Sequence, residues 1–390
     1  MSRILFINSV CNGSTGTICK NLYKAAVEAG HECCIAYGRG EVPKGFKTIK
    51  IGNKLDIYLH VLKARLFDAS GFGSKHATKE FIKKIDEFKP DIIHLHNIHG
   101  YYVNIEILFK YLKAHPEIKK IWTLHDCWAF TGHCSHYLNI GCYKWHNKCF
   151  NCKISSNYPK SFLDKSRKNF IKKKQLFTNV ENLEIVSVSD WLTNQIKLSF
   201  LNGYKILTIK NGIDTKIFKH LENNFQLNKD IRNKKIILGV ANIWNNAKGL
   251  DEFIKLSKKI TDDYLIVLIG TLNKKYIGKY RNIYNIPNIN NPKELAKWYC
   301  KAYVFFNPTK GETFGLTNYE AQACGTPTVT YDAGGTKETI LLNNSYVVSN
   351  LDDFLFLINN KKMCSIYNED IRDKIDYKIG IIKQIDKYAI

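Results

Sequence analysis

Ile4-Leu5-Phe6-Ile7-Asn8-Ser9-Val10 is followed by Cys11-Asn12-Gly13-Ser14-Thr15-Gly16, then by Thr17 to Ala29, and after Gly30 by Cys33-Cys34-Ile35-Ala36-Tyr37. The first and last of these are short apolar runs, too brief for helices and bounded by turn residues, as strands buried on both faces are. Between them, Thr17–Ala29 has its apolar residues at helical spacing, and Gly30 supplies the stop. Strand, turn, helix and strand in that order make a βαβ unit, which implies a parallel sheet.

Working outward, the same alternation continues. Strands are predicted at Asp91–His96, Ile121–Leu124 and Leu183–Val188, with helices near 76–88 and 104–114. A polar Asn/Lys-rich stretch near 219–235 reads as a linker, after which the pattern restarts. Strands are expected at Lys235–Val240, Tyr264–Gly270, Val304–Asn307 and Thr328–Thr330. Helices are expected at Leu250–Lys259, Pro292–Tyr299 and around Tyr319–Ala323. Two successive α/β domains follow, 1–215 and 216–374, the first carrying a Cys-rich insertion at about 127–155. Sheets of this kind take ligands beyond the carboxyl ends of their strands.

Composition narrows the class. The 390 residues are 45% hydrophobic and 24% charged, an ordinary globular balance rather than a disordered one. No apolar run reaches the roughly 20 residues of a membrane span, and the opening turns polar too soon for a signal peptide, so a cytoplasmic location is expected. Lys and Arg total 58 against 35 acidic residues, a formal charge of +23. That excess suits an anionic partner such as nucleic acid, nucleotide phosphates, a pyrophosphate-linked lipid or the acidic leaflet of a membrane, or else a solvated basic surface. The basic runs Ile171-Lys172-Lys173-Lys174 and Asn233-Lys234-Lys235 are too short to decide between the two.

The densest chemical signal is Gly311-Glu312-Thr313-Phe314-Gly315-Leu316-Thr317-Asn318-Tyr319-Glu320. A strand ends at Asn307-Pro308, a loop follows and a helix begins near Leu316. The start of a helix presents unpaired N–H groups to an anion or a hydroxyl, and Gly315 lets a ligand approach the backbone. Glu320, one turn further on, is placed to accept from both hydroxyls of a ribose, as acidic residues do in other nucleotide folds. Read more plainly, Glu312 caps the helix and Glu320 is a solvated surface residue.

Taken with Ala321-Gln322-Ala323-Cys324-Gly325-Thr326-Pro327 directly after, this stretch resembles the family-4 retaining glycosyltransferases of the GT-B fold. Asn211-Gly212-Ile213-Asp214, Ser187-Val188-Ser189 and Gly334-Gly335-Thr336-Lys337-Glu338 resemble further landmarks of that family. The resemblance spans nearly the whole chain. It implies two Rossmann-like doubly wound domains facing each other across a cleft, acceptor on the N-terminal side and nucleotide sugar on the C-terminal side. A last segment, 375–390, is expected to pack back on the first domain. In this family an Arg and a Lys grip the donor diphosphate. Here Lys248-Gly249 is present, but Asn242 stands where the Arg is expected, leaving Lys248 and helix N–H groups, with Arg281 as a substitute the sequence does not place.

The resemblance also assigns His125, in Trp122-Thr123-Leu124-His125-Asp126-Cys127-Trp128, a place beside the donor sugar as a hydrogen-bonding group. His125 and Glu312 are therefore the expected catalytic pair. Lys248, Phe314, Gly315, Leu316, Thr317 and Glu320 are the expected donor-binding residues, joined by Gly16 of the first turn. His94, His96 and His99 cluster at a neighbouring strand end and read more readily as structural. The string Thr123 to Cys134, with Asp91-Ile92-Ile93-His94-Leu95-His96-Asn97, resembles a branch of the family associated with exopolysaccharide and colanic-acid-type synthesis.

Cys134, Cys142, Cys149 and Cys152 admit two readings. They form a tetrahedral structural zinc site pinning a loop-rich insertion, or they are reduced thiols. The basic, apolar-studded segment Leu55–Lys75 likewise docks on an anionic membrane or packs on its own domain. The expected function is transfer of a sugar from a nucleotide-sugar donor to a glycan or polyprenyl-pyrophosphate-linked acceptor, with retention and no catalytic metal, at or near the inner face of the cell membrane. The rivals are a GT-B nucleotide-sugar epimerase and a zinc-stabilised nucleic-acid-binding protein.

Overall fold

The computed structural model describes residues 1–41, 44–153, 158–221 and 233–388. Most of the linker expected at 219–235 falls outside them. The chain divides into two units, Met1–Lys210 with Gly380–Ile390, and Asn211–Ile379.

The first unit is built on seven parallel strands: β1 (Arg3–Val10), β2 (Glu32–Arg39), β3 (Thr48–Lys50), β4 (Ile92–Leu95), β5 (Lys119–Leu124), β6 (Leu183–Ser187) and β7 (Lys205–Thr208). They lie in the order β3-β2-β1-β4-β5-β6-β7. The apolar run that opened the chain is the middle of this sheet, with Ile4, Leu5, Phe6 and Ile7 fully buried. Helices α1 (Gly13–Glu28), α2 (Lys54–Phe67), α3 (Lys75–Phe88), α4 (Ile105–Ala114), α5 (Ser166–Phe177) and α6 (Asp190–Lys197) fill the crossovers.

Helix α1 begins at Gly13, four residues before the predicted start. The stretch expected to be a turn is mostly the first turn of the helix, with Asn12 as its extended N-cap. Gly16 lies inside it, where a Cβ would stand 2.5 Å from the carbonyl carbon of Cys11. A side chain there would push the helix off the end of β1. Among its described residues the insertion after β5 has only three short 3-10 turns, at Trp128–Phe130, Leu138–Ile140 and Lys144–His146.

The second unit has six parallel strands: β8 (Lys235–Ile243), β9 (Tyr264–Thr271), β10 (Ile283–Ile286), β11 (Val304–Asn307), β12 (Thr328–Tyr331) and β13 (Tyr346–Val348). Their order is β10-β9-β8-β11-β12-β13. The helices are α7 (Leu250–Leu256), α8 (Pro292–Lys301), α9 (Leu316–Ala323), α10 (Leu351–Asn360), α11 (Glu369–Ile375) and α12 (Tyr377–Ile385). One apolar core joins them, including Ile237, Phe253, Ile266, Phe306 and Phe354.

The boundaries differ from those expected by about five residues, at 210/211 rather than 215/216 and at 379/380 rather than 374/375. Ile213 accounts for both shifts. Its N–H donates to Ile375 O at 2.9 Å, and its carbonyl accepts from Tyr377 N at 2.9 Å, so the two crossing segments are hydrogen-bonded to each other. A Cβ on Gly212 would stand 2.4 Å from the Cα of Tyr377. Both segments therefore count with the second unit.

Only Gly380 onward belongs with the first unit, where Tyr388 is fully buried. Its hydroxyl lies 2.6 Å from His94 Nδ1, and its ring meets Phe6 edge-on at 6.0 Å.

Candidate functional site

In each sheet the strand order reverses direction once, between β1 and β4 in the first unit and between β8 and β11 in the second. Crevices open beyond the carboxyl ends of the strands at such points. The loops leaving β8 and β11 therefore mark the candidate site of the second unit, and Lys248 and Glu312 lie in them.

These loops are knitted together by backbone. Lys310 N donates to Ala247 O at 2.9 Å, Gly335 N to Glu312 O at 3.0 Å and Glu312 N to Ala333 O at 3.2 Å. Lys310 and Asp251 add an ion pair. Asn245 accepts from Lys248 N at 3.1 Å and caps the short turn Asn246–Lys248. Gly249 follows at φ 80°, in the left-handed region, and a Cβ there would stand 2.4 Å from Pro308 O. Glycine is needed at this position for both its conformation and the close approach.

The result is a Lys248 Nζ to Glu312 Oε2 distance of 2.5 Å, with the two side chains 39% and 23% exposed. A partly exposed pair of this kind is worth only about 0–1 kcal/mol. An anionic ligand can therefore displace it at little cost.

Gly315, at φ 98°, begins α9. Leu316 and Thr317 occupy the first turn, whose N–H groups lack intrahelical acceptors. Phe314 is expected to serve a ligand through its backbone. Its ring is buried to 2% and packs edge-on against Tyr319 at 5.1 Å, so it props the loop from below and leaves the backbone to face a ligand.

Glu320 is deep-set but keeps some solvent contact. Burial pushes its carboxyl up to about 7, partly offset by the Tyr299 hydroxyl, which donates to Oε2 at 2.8 Å. Two polar residues tie the neighbourhood together. Asn318 accepts from Asn307 Nδ2 at 2.9 Å and donates to Thr339 Oγ1 at 2.8 Å. Gln322 accepts from the N–H groups of Leu341 and Leu342 at 2.8 and 3.0 Å. Arg281 is exposed in the turn before β10. Asn242 is engaged by Asn288 Nδ2 at 3.1 Å.

The histidines of the first unit stand at the carboxyl ends of β4 and β5. His94 and His96 stack with centroids 4.3 Å apart, and His96 stacks on His125 at 5.4 Å. His96 Nδ1 is 3.1 Å from His125 Nε2. His94 is structural, held between Tyr388 and Thr123 Oγ1, the latter at 2.8 Å. Burial lowers His94 to about 3, His125 to about 4 and His96 well below its usual value. His125 is thus a neutral ring at any ordinary pH, suited to hydrogen bonding and poor as a base.

Asp126 beside it bonds His99 Nε2 at 2.8 Å and accepts from Trp128 N at 2.8 Å. Burial opposes its ionisation, but His99, those hydrogen bonds and His136 together hold its carboxyl down at about 2. Lys248 and Glu312 meet in the second unit, where Glu312 also lies beside Gly315 at the start of α9, and Leu316, Thr317 and Glu320 follow on that helix; Gly16 and His125 belong to the first unit.

The cysteines of the insertion also converge. Cys134, Cys142, Cys149 and Cys152 line one cavity, together with His133, Trp145 and Ser166. None of the four is in a disulfide. Among the described residues no three His, Cys, Asp or Glu side chains are grouped as a ready-made ligand set.

Tyr299 and Asn245 were not anticipated. Tyr299 stands 21 positions before Glu320, and nothing in its own neighbourhood in sequence signals the contact. Asn245 was legible, since Asn three residues before a Lys-Gly stop is a turn signal.

Comparison with known proteins agrees with this architecture. A family profile described as Glycosyltransferase Family 4 matches residues 15–217, and one described as Glycosyl transferases group 1 matches 222–355. The putative colanic acid biosynthesis glycosyl transferase WcaC of Escherichia coli is 21% identical over 362 residues, covering 90% of this chain and 87% of that protein. The capsular polysaccharide biosynthesis glycosyltransferase CapM of Staphylococcus aureus is 25% identical over 213 residues, 50% of this chain and 55% of that one. Among solved structures, sucrose-phosphate synthase from Thermosynechococcus elongatus aligns with a TM-score of 0.72 at 14% identity, covering 100% of this chain and 98% of that one. Anabaena Alr3699/HepE in complex with UDP and glucose aligns at 0.64 and 14%, covering 100% and 99%. At these identities the structures speak for the fold alone.

Proposed function

This chain belongs to the family-4 glycosyltransferases, and we propose that it moves a sugar from a nucleotide-sugar donor onto a glycan or polyprenyl-pyrophosphate-linked acceptor, with retention, in the assembly of a surface polysaccharide. The carrying observation is the juxtaposition in the second unit of Lys248 with Glu312, the opening turn of α9 and the deep-set Glu320. A cation and helix N–H groups suit a diphosphate, and a carboxylate one turn on suits a ribose. The polysaccharide setting rests on the likeness to WcaC and CapM.

In the reaction proposed, the bond from the anomeric carbon to the diphosphate oxygen breaks, and a bond to the acceptor oxygen forms on the same face. The acceptor hydroxyl's proton leaves with the departing phosphate. Lys248 and the α9 N–H groups stabilise the charge that develops on the leaving oxygen. When phosphate draws Lys248 away, Glu312 is released to accept from the sugar's hydroxyls. His125, neutral, offers a hydrogen bond to the sugar. No metal is required in this scheme, so a chelator leaves the initial rate unchanged, and a rate lost to chelation and restored by Mg²⁺ would contradict it.

The experiment that tests the reading is a thermal-shift screen against UDP, GDP, ADP and their sugar conjugates. A ligand of the folded state raises the melting temperature. One nucleotide family should do so, and Glu320→Ala should abolish the shift. No shift with any nucleotide would overturn the assignment. Product stereochemistry by NMR then tests retention.

Helix α2 favours a membrane setting for this activity. Leu55, Tyr58, Leu59, Leu62 and Leu66 recur at helical spacing and are 40–77% exposed, while His60 and Ala64 form its buried side. Phe162, 70% exposed, lies next to the helix end, its N–H donating to Arg65 O at 2.7 Å. Lys54, Lys63 and Arg65 flank the apolar stripe, a combination that suits an anionic lipid surface such as the inner leaflet. No helix among the described residues is long and apolar enough to cross a membrane.

A further inference from the structure

We infer that Cys134, Cys142, Cys149 and Cys152 hold one zinc ion as a tetrathiolate, a structural site that fastens the insertion after β5 next to His125 and Asp126. The four cysteines lie outside the 3-10 turns of the insertion, 18 positions apart from first to last, yet line the same cavity. That convergence is not a by-product of regular structure, because among its described residues the segment has none beyond single 3-10 turns. A loop of this length rarely stays ordered without a staple.

The surroundings are those a thiolate cluster needs. Gly132 N donates to Cys149 Sγ at 3.2 Å, the kind of N–H contact that orients and stabilises a ligating sulfur. Lys173, fully buried on α5, is the nearby amine; burial pushes it down to about 7, and negative charge on Asp68 and on Cys149 and Cys134 pushes it back up. Its Nζ donates to Trp128 O at 2.8 Å and Thr131 O at 3.1 Å, and it stands close enough to Cys149 and Cys134 to interact with their charge. Zinc with four thiolates carries a net charge of −2, which such a lysine offsets.

His133, 2% exposed, lines the cavity as well. Its Nδ1 is 2.6 Å from Asp68 Oδ1, and its Nε2 is buried with no partner. A buried nitrogen left without a partner is unfavourable. A thiolate cluster beside it supplies an acceptor for Nε2–H.

Because the thiols are not yet grouped as a ligand set, their side chains must close on the ion. Binding exchanges four S–H protons, released to solvent, for four zinc–sulfur bonds, so affinity falls as pH drops. No oxidant is involved.

The test is elemental analysis of the full-length protein purified with thiol reductant and supplied with zinc, followed by cobalt substitution. The expected result is about one zinc per chain and a cobalt spectrum with the sulfur charge-transfer and d–d bands of a tetrahedral tetrathiolate. Cys149→Ser should lose the metal, and Cys364→Ser, exposed and remote in sequence, should keep it. His133→Asn should keep both metal and spectrum, which separates the site from a three-sulfur, one-nitrogen one even if the serine variant fails to fold. Absence of zinc from the native protein, disulfides joining these cysteines under reducing purification, or loss of metal in His133→Asn would each overturn the inference. The assay does not depend on transferase activity, so its outcome leaves the proposed function untouched.

Discussion

At Glu320, burial and recognition pull in opposite directions. The protein raises the carboxyl to about 7, yet a ribose is best held by the ionised form, which accepts from both hydroxyls. Nucleotide affinity should therefore strengthen as pH rises through about 7, and Glu320→Gln should flatten that dependence, as read by calorimetry between acidic and mildly alkaline pH. The stability effect has the opposite sign. A folded value above the ordinary 4.5 means that the contribution is present below about 4.5 and is lost as pH climbs toward 7.

Lys248 should matter more to rate than to folding, since its ion pair is half-exposed. Lys248→Ala should lower kcat/KM by about 10²–10³, the usual loss for one stabilising donor, with little change in Tm. The motif around Glu312 and Glu320 was legible because its chemistry is local to ten residues. The buried Phe314 ring and the Tyr299 partnership were not, because side-chain direction and contacts across 21 positions leave no periodic trace in sequence.

Among the elements, the strands missed by sequence pattern share one property. β3, β7, β10 and β13 are the outermost strands of their two sheets. Edge strands are short and pair on one side only. Lys205-Ile206-Leu207-Thr208 and Ile283-Tyr284-Asn285-Ile286 contain no fully buried residue, so they lack the unbroken apolar run that betrayed β1, β8 and β9.

Helix α2 departs from the pattern in the other direction, with leucines facing outward over a buried His60. If that face meets lipid, Leu59→Glu with Leu62→Glu should abolish sedimentation with vesicles containing phosphatidylglycerol. Both residues are more than half exposed, so Tm should shift by about what a surface substitution does, about 0.5 kcal/mol equivalent each. Retained binding would show that the stripe serves something else.

Across the whole molecule, two doubly wound sheets were legible from the restart of the strand–helix alternation at Lys235. The crossing points were not, because Ile213 and the residues around Asp376 meet only in three dimensions. Tyr388 is the clearest case. Its role depends on His94, 294 positions earlier. Tyr388→Phe should leave His94 Nδ1 buried without its partner and destabilise the first unit by about 1–3 kcal/mol, measured by chemical denaturation of the full chain.

The same arrangement has a consequence during synthesis. The first unit is interrupted by the whole of Asn211–Ile379, roughly 170 residues that the ribosome must translate before Gly380–Tyr388 emerges. At about 5–20 residues per second this takes roughly ten to thirty seconds. For that time the nascent sheet has its strands but not the ring that covers Phe6 and His94, and a patch of its core stays open to water and to chaperones. The half of the protein that is made first is the half that is finished last.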